Sequence, residues 1–318
     1  MFEVRTDLAV EENERITKAQ EETKGISVTE EDYGEEQIHI TTVRITTENG
    51  AKQMGKPKGT YITLEAAEMI EDDEDYHREI SQALAHHLKE LLHLEKEKSI
   101  LVVGLGNREI TPDALGPQVI QNLKITRHII KEYGKAGMGK RKAHQISSLV
   151  PGVMAQTGME TAVIVRGIVA SSRPDVVIAI DALAARSSAR LNTTVQLSDR
   201  GINPGSGVGN HRMGLTRESV GVPVIAVGIP TVIEAATIVH DAIVNFTKAF
   251  AGSDIMGTMN DVMDSMTEKE RRALMLELIA PSMSTMYVTP RDVDAAVQRT
   301  AYIVARALDR LPDIMTTV

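Results

Sequence analysis

The pattern of apolar and polar positions divides the first third of the chain into three predicted units. Residues 1–36 are polar and acid-rich, with apolar positions at helical spacing around Leu8 and Ile16. The β-branched, alternating runs QIHITTVRIT and TYITLE dominate residues 37–64, with a turn-rich stretch between them, and predict a hairpin or two neighbouring strands. Residues 75–95 carry apolar side chains along one helical stripe, which predicts an amphipathic helix.

From residue 99 onward, short apolar runs that predict buried strands alternate with longer periodic segments that predict helices. Alternation of this kind through residues 99–250 is typical of an α/β fold with a mostly parallel or mixed sheet and helices on both faces. The basic, glycine-rich residues 127–144 predict an exposed loop. The predicted strands are 99–106, 174–185, 193–198 and 221–230, with a strand end and loop at 147–158, and the predicted helices are 111–123, 159–172, 231–250, 266–279 and 290–310.

Composition limits the domain organisation and the environment of the protein. The 318 residues, 42% of them hydrophobic, predict one α/β domain over residues 8–318, with an added N-terminal hairpin and an additional helical C-terminal segment 251–318. Cysteine is absent, which excludes disulfides, thiolate nucleophiles and cysteine-ligated metals. The N-terminus lacks an apolar signal region, no apolar stretch is long enough for a membrane span, and the net charge is −9. We therefore expect a cytoplasmic protein without membrane or direct nucleic-acid partners.

Two aspartates follow predicted strands, at the edge where parallel sheets bind ligands. Asp113 lies in GLGNREITPDALGP, where Thr111 and Pro112 predict the start of a helix. A lone acid there can simply stabilise the helix N-terminus. Asp181 follows the buried run VVIAI and needs partners or water, although it can equally cap a following helix. Because both predicted strands end at one edge of the sheet, the two carboxylates are candidates for one site.

A pair of close carboxylates is suited to peptide hydrolysis. The two groups cannot both ionise easily, so one of them holds a proton near neutral pH. One group then acts as general base on a water molecule, while the protonated partner polarises the peptide carbonyl and protonates the leaving amine. We expect this chemistry at Asp113 and Asp181, and the sequence leaves open which residue is the acid and which the base.

Glycine-rich loops at the same edge allow a substrate backbone to approach closely, although such glycines also form plain turns. The segment GLGN departs from the dinucleotide-binding fingerprint because its sixth position is Glu109, so no cofactor is expected. A lone histidine in a loop is more often structural than a base or a ligand. The residues expected to bind substrate or shape the site are Gly104, Gly106, Asn107, Gly207, Gly209 and His211.

Other chemistries lack their motifs. No H-E-x-x-H pair is present, and no metal site is predicted. His86 and His87 are adjacent on a predicted helix and point about 100° apart, so we interpret them as part of a solvated face. Ser187, Ser188 and Ser206 lack the G-x-S-x-G elbow of a serine hydrolase.

Five segments, in order, resemble the germination protease family of spore-forming Firmicutes: GLGN…TPDALGP, PGVMAQTGMET, IDALAARS, INPGSGVGNHR and GVPVIAVGIPT. The match spans residues 4 to about 240. The resemblance implies an atypical aspartic endopeptidase whose catalytic aspartates fall, by motif, on Asp113 and Asp181, and a fold similar to the hydrogenase maturation proteases. It also implies small acid-soluble spore proteins as substrates, a forespore or spore-core location, and a homotetramer.

The resemblance also implies that the chain is made as a zymogen that trims its own N-terminus. The matching site here, VRTDLAVE, implies a cut between Asp7 and Leu8 and a propeptide of residues 1–7. Two other function classes stay open from the residues: an α/β enzyme that uses its glycine loops for a nucleotide or phosphosugar, and a non-catalytic protein that binds a partner in spores. The missing P-loop motif argues against the first of these.

Overall fold

The computed structural model describes residues 6–18, 24–34, 38–94, 96–134, 137, 143–205, 212–239, 242, 266–267, 270 and 286–312. The helices are α1 (Ala9–Lys18), α2 (Glu48–Met54), α3 (Glu74–Leu92), α4 (Leu115–Asn122), α5 (Arg127–Tyr133), α6 (Met154–Thr157), α7 (Thr161–Ser172), α8 (Arg217–Val220) and α9 (Val293–Arg310). The strands are β1 (Ile26–Tyr33), β2 (Ile38–Ile45), β3 (Gly59–Glu65), β4 (Ser99–Gly104), β5 (Gln145–Leu149), β6 (Val176–Ala185), β7 (Thr194–Ser198), β8 (Val224–Glu234) and β9 (Tyr287–Val288).

One mixed sheet organises the described part of the chain. Its strand order is β1-β2-β3-β7-β8-β6-β4-β5, and β9 pairs with the end of β8. The half formed by β5, β4, β6 and β8 is parallel, as expected from strands that are connected through helices. The other half, β1, β2, β3 and β7, is antiparallel. The predicted α/β class is confirmed, and the two strands predicted within residues 37–64 are the neighbours β2 and β3.

Helices cover both faces of this sheet. On one face, α3, α4 and α9 pack on even-numbered residues of β4 and β6. On the other face, α7 and α8 cover odd-numbered residues of the same two strands, and α1 and α2 cover β2 and β3. Successive side chains of a strand point to opposite faces, so an odd-numbered residue of β6 lies on the α7 side. This parity places Asp181 on the α7 side.

The structure differs from the sequence-based prediction at several elements. Strand β1 is absent from the sequence-based prediction because it is an edge strand whose mostly exposed side chains give no alternating pattern. Residues 127–133 form α5 rather than a loop. Strand β8 includes residues 231–234, where a helix is predicted, and β9 pairs with this extension. The rest of that predicted helix and the predicted helix at 266–279 lie mostly outside the described residues.

The amphipathic helix predicted at residues 75–95 is confirmed as α3, but the interpretation of its histidine pair is half wrong. His86 is exposed, whereas His87 is buried on the apolar side of the helix. The His87 Nδ1 atom lies 3.3 Å from Glu90 Oε2, and burial lowers the pKa of the imidazole.

Of the helices in the described ranges, none is long and apolar enough to span a membrane.

Candidate active site

Asp181 lies within strand β6 and not at its end. The strand continues to Ala185 because it stays paired with β8, where Ala185 lies opposite Ile233. The alternative in which Asp181 caps a following helix is therefore wrong. The side chain is buried, with 4% of the residue exposed, and its Oδ1 accepts a hydrogen bond from the N–H of Ala182 at 3.0 Å.

Asp113 approaches the same region from the loop after β4. It ends a short 3-10 turn, Thr111–Asp113, and the helix that was predicted to begin there starts at Leu115 instead. No side chain caps this turn in the way predicted for Thr111. The Asp113 carboxylate accepts a hydrogen bond from the N–H of Asn107, with 2.7 Å between Asn107 N and Asp113 Oδ2.

Two glycines allow the loop and the helix to pack this closely. Gly106 has φ +107°, and a Cβ there would lie 1.9 Å from the carbonyl oxygen of Asp113. At Gly104, a Cβ would lie 2.4 Å from the carbonyl oxygen of Gly116 in α4. Since both contacts are with backbone atoms, neither can be relieved by moving a side chain. Gly106 therefore allows the loop to pack on Asp113, and Gly104 allows α4 to pack on the carboxyl end of β4.

Asn107 connects this loop to a residue that the sequence did not single out. Its backbone N–H binds Asp113, and its side-chain Oδ1 accepts a hydrogen bond from Gln156 Nε2 at 2.9 Å. Gln156 belongs to α6, in the segment that follows β5. The loop that positions Asp113 is thus attached to the segment that follows the neighbouring parallel strand β5.

The electrostatics of the two aspartates are coupled. Burial raises the pKa of Asp113, and the hydrogen bond from Asn107 partly opposes that rise. Burial raises the pKa of Asp181 well above its usual range, and the nearby carboxylates of Asp113 and Asp7 raise it further. The structure therefore brings Asp113 and Asp181 into one electrostatic unit, in which the more deeply buried member favours the protonated form.

The segment around Asp7 is bound at the end of strand β6. The N–H of Asp7 donates to the carbonyl oxygen of Ala184 at 3.1 Å, and the N–H of Ala184 donates to Asp7 Oδ2 at 3.0 Å. Leu8 is fully buried in an apolar cluster with Leu183 and Leu191. The Asp7–Leu8 segment is thus fixed on the strand that contains Asp181, at Ala184 three residues beyond that aspartate, although the two segments lie far apart in sequence.

Three further side chains hold this segment, and the sequence analysis missed all of them. Lys56 and Gln196 donate to the carbonyl oxygen of Asp7. The carboxylate of Glu11 accepts hydrogen bonds from the N–H groups of Arg186, at 2.8 Å, and Ser187, at 2.9 Å, just after β6. Glu11 is also buried, with 3% exposed. Glu11 lies in a run of acidic residues, and nothing in the sequence distinguishes it from its acidic neighbours.

The second glycine-rich loop contributes less. Gly207, Gly209 and His211 lie outside the described residues. Gly205 has φ +72°, a conformation typical of a turn. Within the described ranges, no three histidine, aspartate or glutamate side chains are grouped as a metal site requires. The described part of the site is therefore built from the two aspartates, the GLGN loop and the bound N-terminal segment.

Comparisons with known proteins assign the family. The profile of a family described as germination protease matches residues 3–260. The chain belongs to the germination protease family. A germination protease of Caldanaerobacter subterraneus subsp. tengcongensis is 44% identical over 307 residues, covering 96% of this chain and 93% of the relative. The Bacillus subtilis germination protease is 39% identical, covering 96% of this chain and 92% of the relative.

A solved structure of a NiFe-hydrogenase maturation protease from Thermococcus kodakarensis is also similar, with 16% identity, a TM-score of 0.35, and coverage of 70% of this chain and 99% of that one. Membership of the germination protease family makes the chain a peptidase, hence a hydrolase. The resemblance inferred from the five sequence segments is confirmed.

The buried Asp181 predicts a specific dependence of stability on pH. An acid whose pKa is raised by folding stabilises the fold fully below its unfolded pKa of about 4, and this contribution is lost as pH rises toward the folded pKa. The pKa of Asp181 is raised. Relative to Asp181→Asn, the wild type should therefore lose stability from pH 4 upward, by up to about 1.4 kcal/mol per pH unit. Urea unfolding of both proteins between pH 4 and 7 measures the difference, and a constant difference would contradict the raised pKa.

Proposed function

We propose that this chain is an endopeptidase that initiates the degradation of small acid-soluble spore proteins during germination, in the spore core, and that it acts as a homotetramer. Residues 1–7 serve as its propeptide and residues 8–318 as its peptidase domain, with residues 251–318 as an additional helical segment. The enzyme is of the atypical aspartic type and cuts its own chain between Asp7 and Leu8. One observation carries this proposal: hydrogen bonds to Ala184 and the burial of Leu8 with Leu183 hold the Asp7–Leu8 segment on β6, the strand that contains Asp181.

The roles of the two aspartates follow from their surroundings. Asp181 is the more deeply buried and lies near two other carboxylates, which favours its protonated form. Each aspartate accepts one backbone hydrogen bond, but Asp113 is less deeply buried, so it is the member of the pair that ionises more readily. Asp113 therefore acts as the base and Asp181 as the acid.

In the first step, Asp113 takes a proton from a water molecule as the water oxygen adds to the carbonyl carbon of Asp7. Asp181 donates a hydrogen bond to the reacting group as charge develops. In the second step, the C–N bond to Leu8 breaks and the nitrogen of Leu8 receives a proton from the carboxyl pair. The products are a carboxylate on residue 7 and an amino group on residue 8, and the pair again shares one proton.

Occupancy of the site by residues 6–8 explains inhibition as well as processing. While Asp7 is hydrogen-bonded to Ala184 and Leu8 is buried against Leu183, no other peptide can take the same position. Cleavage removes the covalent link that holds Asp7 in place. We therefore expect the full chain to be inactive toward other proteins until it has been cut.

The experiment compares a chain that begins at Leu8 with the full chain assayed at early times, while intact-mass measurement shows that residues 1–7 are still attached. The shortened chain should digest a small acid-soluble spore protein, whereas the uncut chain should be at least about 10²-fold slower, because its site remains filled. Gel electrophoresis of the substrate gives both rates. Equal rates would overturn the inhibitory role of residues 1–7, and the absence of digestion by either chain would overturn the substrate assignment.

A further inference from the structure

The carbonyl oxygen of Asp7 has two side-chain donors. Gln196 Nε2 lies 2.9 Å from this oxygen, and Lys56 Nζ lies 2.9 Å from it as well. Gln196 is buried, with 8% exposed, so its amide is held by the surrounding protein rather than by solvent. The carbonyl that is bound twice is the one that would be attacked in the proposed cleavage.

Gln196 also binds the next peptide group along the chain, that between Leu8 and Ala9. Its Oε1 accepts a hydrogen bond from the N–H of Ala9 at 2.6 Å. One carboxamide thus holds the carbonyl that precedes Leu8 and the N–H that follows it. A contact made only with main-chain groups fixes the position of a peptide without depending on its side chains.

The sheet places Gln196 in register with Asp181. Gln196 in β7 lies opposite Gly228 in β8, and Gly228 lies opposite Asp181 in β6. Directly paired residues present their side chains on the same face, so Gln196 and Asp181 share one face, separated by a residue without a side chain. Leu183 covers Gly228 between them and also contacts the cluster that buries Leu8. The amide that binds the segment and the carboxyl group of Asp181 therefore lie on the same face of the sheet, two strands apart.

We propose, on the basis of the proposed cleavage between Asp7 and Leu8, that Gln196 is the residue that binds and orients the scissile peptide. Its Nε2 amide, with the ammonium group of Lys56, binds the Asp7 carbonyl oxygen and stabilises the negative charge that develops there as water adds to the carbon. Donors that are fixed in place before reaction contribute most when they face the atom on which charge accumulates. Because Gln196 contacts only main-chain groups of the bound segment, it can bind the main chain of any substrate in the same way.

The test follows release of residues 1–7 from the full chain by mass spectrometry, as a first-order rate. Because the segment is already in place, this rate reports the chemical step rather than binding. Gln196→Met keeps the size of the side chain and removes both contacts, and loss of a carbonyl donor should slow release by about 10²-fold. The matched control is Thr194→Val, since Thr194 lies on the same strand and face and its buried hydroxyl has no hydrogen-bond partner. We expect the control to stay within about twofold of wild type.

Gln196→Glu separates a chemical role from a structural one. An ionised glutamate can still accept from Ala9 but cannot donate to the carbonyl of Asp7, whereas a protonated glutamate can do both. At pH 7 this variant should be as slow as Gln196→Met, and at pH 5 it should regain most of its rate relative to wild type at the same pH. Recovery of the rate at low pH is expected only if the reaction requires a hydrogen bond donated to the Asp7 carbonyl. It therefore tests the role of Gln196 even if Gln196→Met folds poorly.

Release by Gln196→Met at a rate within threefold of wild type, or the absence of recovery in Gln196→Glu at pH 5, would overturn the assignment of Gln196. Asp181→Asn is measured in the same series to keep the two proposals apart. If Asp181→Asn is inactive and Gln196→Met is not, the carbonyl-binding role fails while the proposed function stands. If Asp181→Asn also releases residues 1–7, the proposed function itself fails.

Discussion

Replacing either aspartate with asparagine, Asp113→Asn or Asp181→Asn, should lower the rate of peptide hydrolysis by about 10³-fold or more. The asparagine side chain keeps the size of aspartate but can neither accept nor deliver the proton. Because the two aspartates act as a unit, losing either one should cost nearly as much activity as losing both. The burial of Asp181 adds a reason to expect an intact fold, because asparagine avoids placing a charge in a buried position. Digestion of a protein substrate and thermal unfolding are measured on the same samples.

The matched control for these variants is Asp175→Asn. Asp175 directly precedes β6, at the end opposite to the site, and its Oδ2 accepts a hydrogen bond from the N–H of Ser99 at 2.7 Å. This variant should keep wild-type activity even if it loses some stability. Comparable inactivity of all three variants would show that charge or folding, and not the carboxylate pair, limits the reaction.

Gly106→Ala should remove activity through the backbone alone, with a loss of about 10²-fold or more. The alanine Cβ would lie 1.9 Å from the Asp113 carbonyl oxygen, so the loop or the aspartate has to move. Displacement of a catalytic group by about 1 Å is enough for an effect of this size. Peptide hydrolysis by the folded variant measures it.

Gly221→Ala provides the comparison for Gly106→Ala. Gly221 also has a positive φ, of +88°, but a Cβ there meets no atom within 4 Å. Both variants incur the cost of a left-handed alanine, about 1–2 kcal/mol, so their stabilities should fall by similar amounts before any clash is counted. Only Gly106→Ala should lose activity. If the two variants are equally active, the close packing of Gly106 on Asp113 does not position the carboxylate.

The strands of the parallel half were predictable because they are buried on both faces and read as continuous apolar runs. The boundaries of β6 and β8 were not, since ALAA and TVIE are compatible with helix and only their pairing beyond Leu183 keeps them extended. Strand β1 escaped prediction for the opposite reason, because its exposed, acidic sequence carries no apolar face.

In the candidate site, too, some residues could be predicted from the sequence and others could not. Asp113, Asp181 and the GLGN loop were predicted to lie together because each follows a buried apolar run, and this proximity did not require Asp181 to lie at the end of its strand. Lys56 and Gln196 could not, because nothing local distinguishes them, and they meet Asp7 only through pairing of elements that are distant in the chain. The burial of His87 was missed because helical periodicity does not tell which flank of an apolar stripe a neighbouring element covers.

The most direct test of the two-aspartate endopeptidase is the intact mass of the purified full chain after incubation, for the wild type, Asp113→Asn and Asp181→Asn at mildly acidic and neutral pH. We predict that the wild type loses residues 1–7 and that both variants stay whole while remaining folded. Cleavage between Asp7 and Leu8 in either folded variant would contradict the assignment and place the chemistry on other residues.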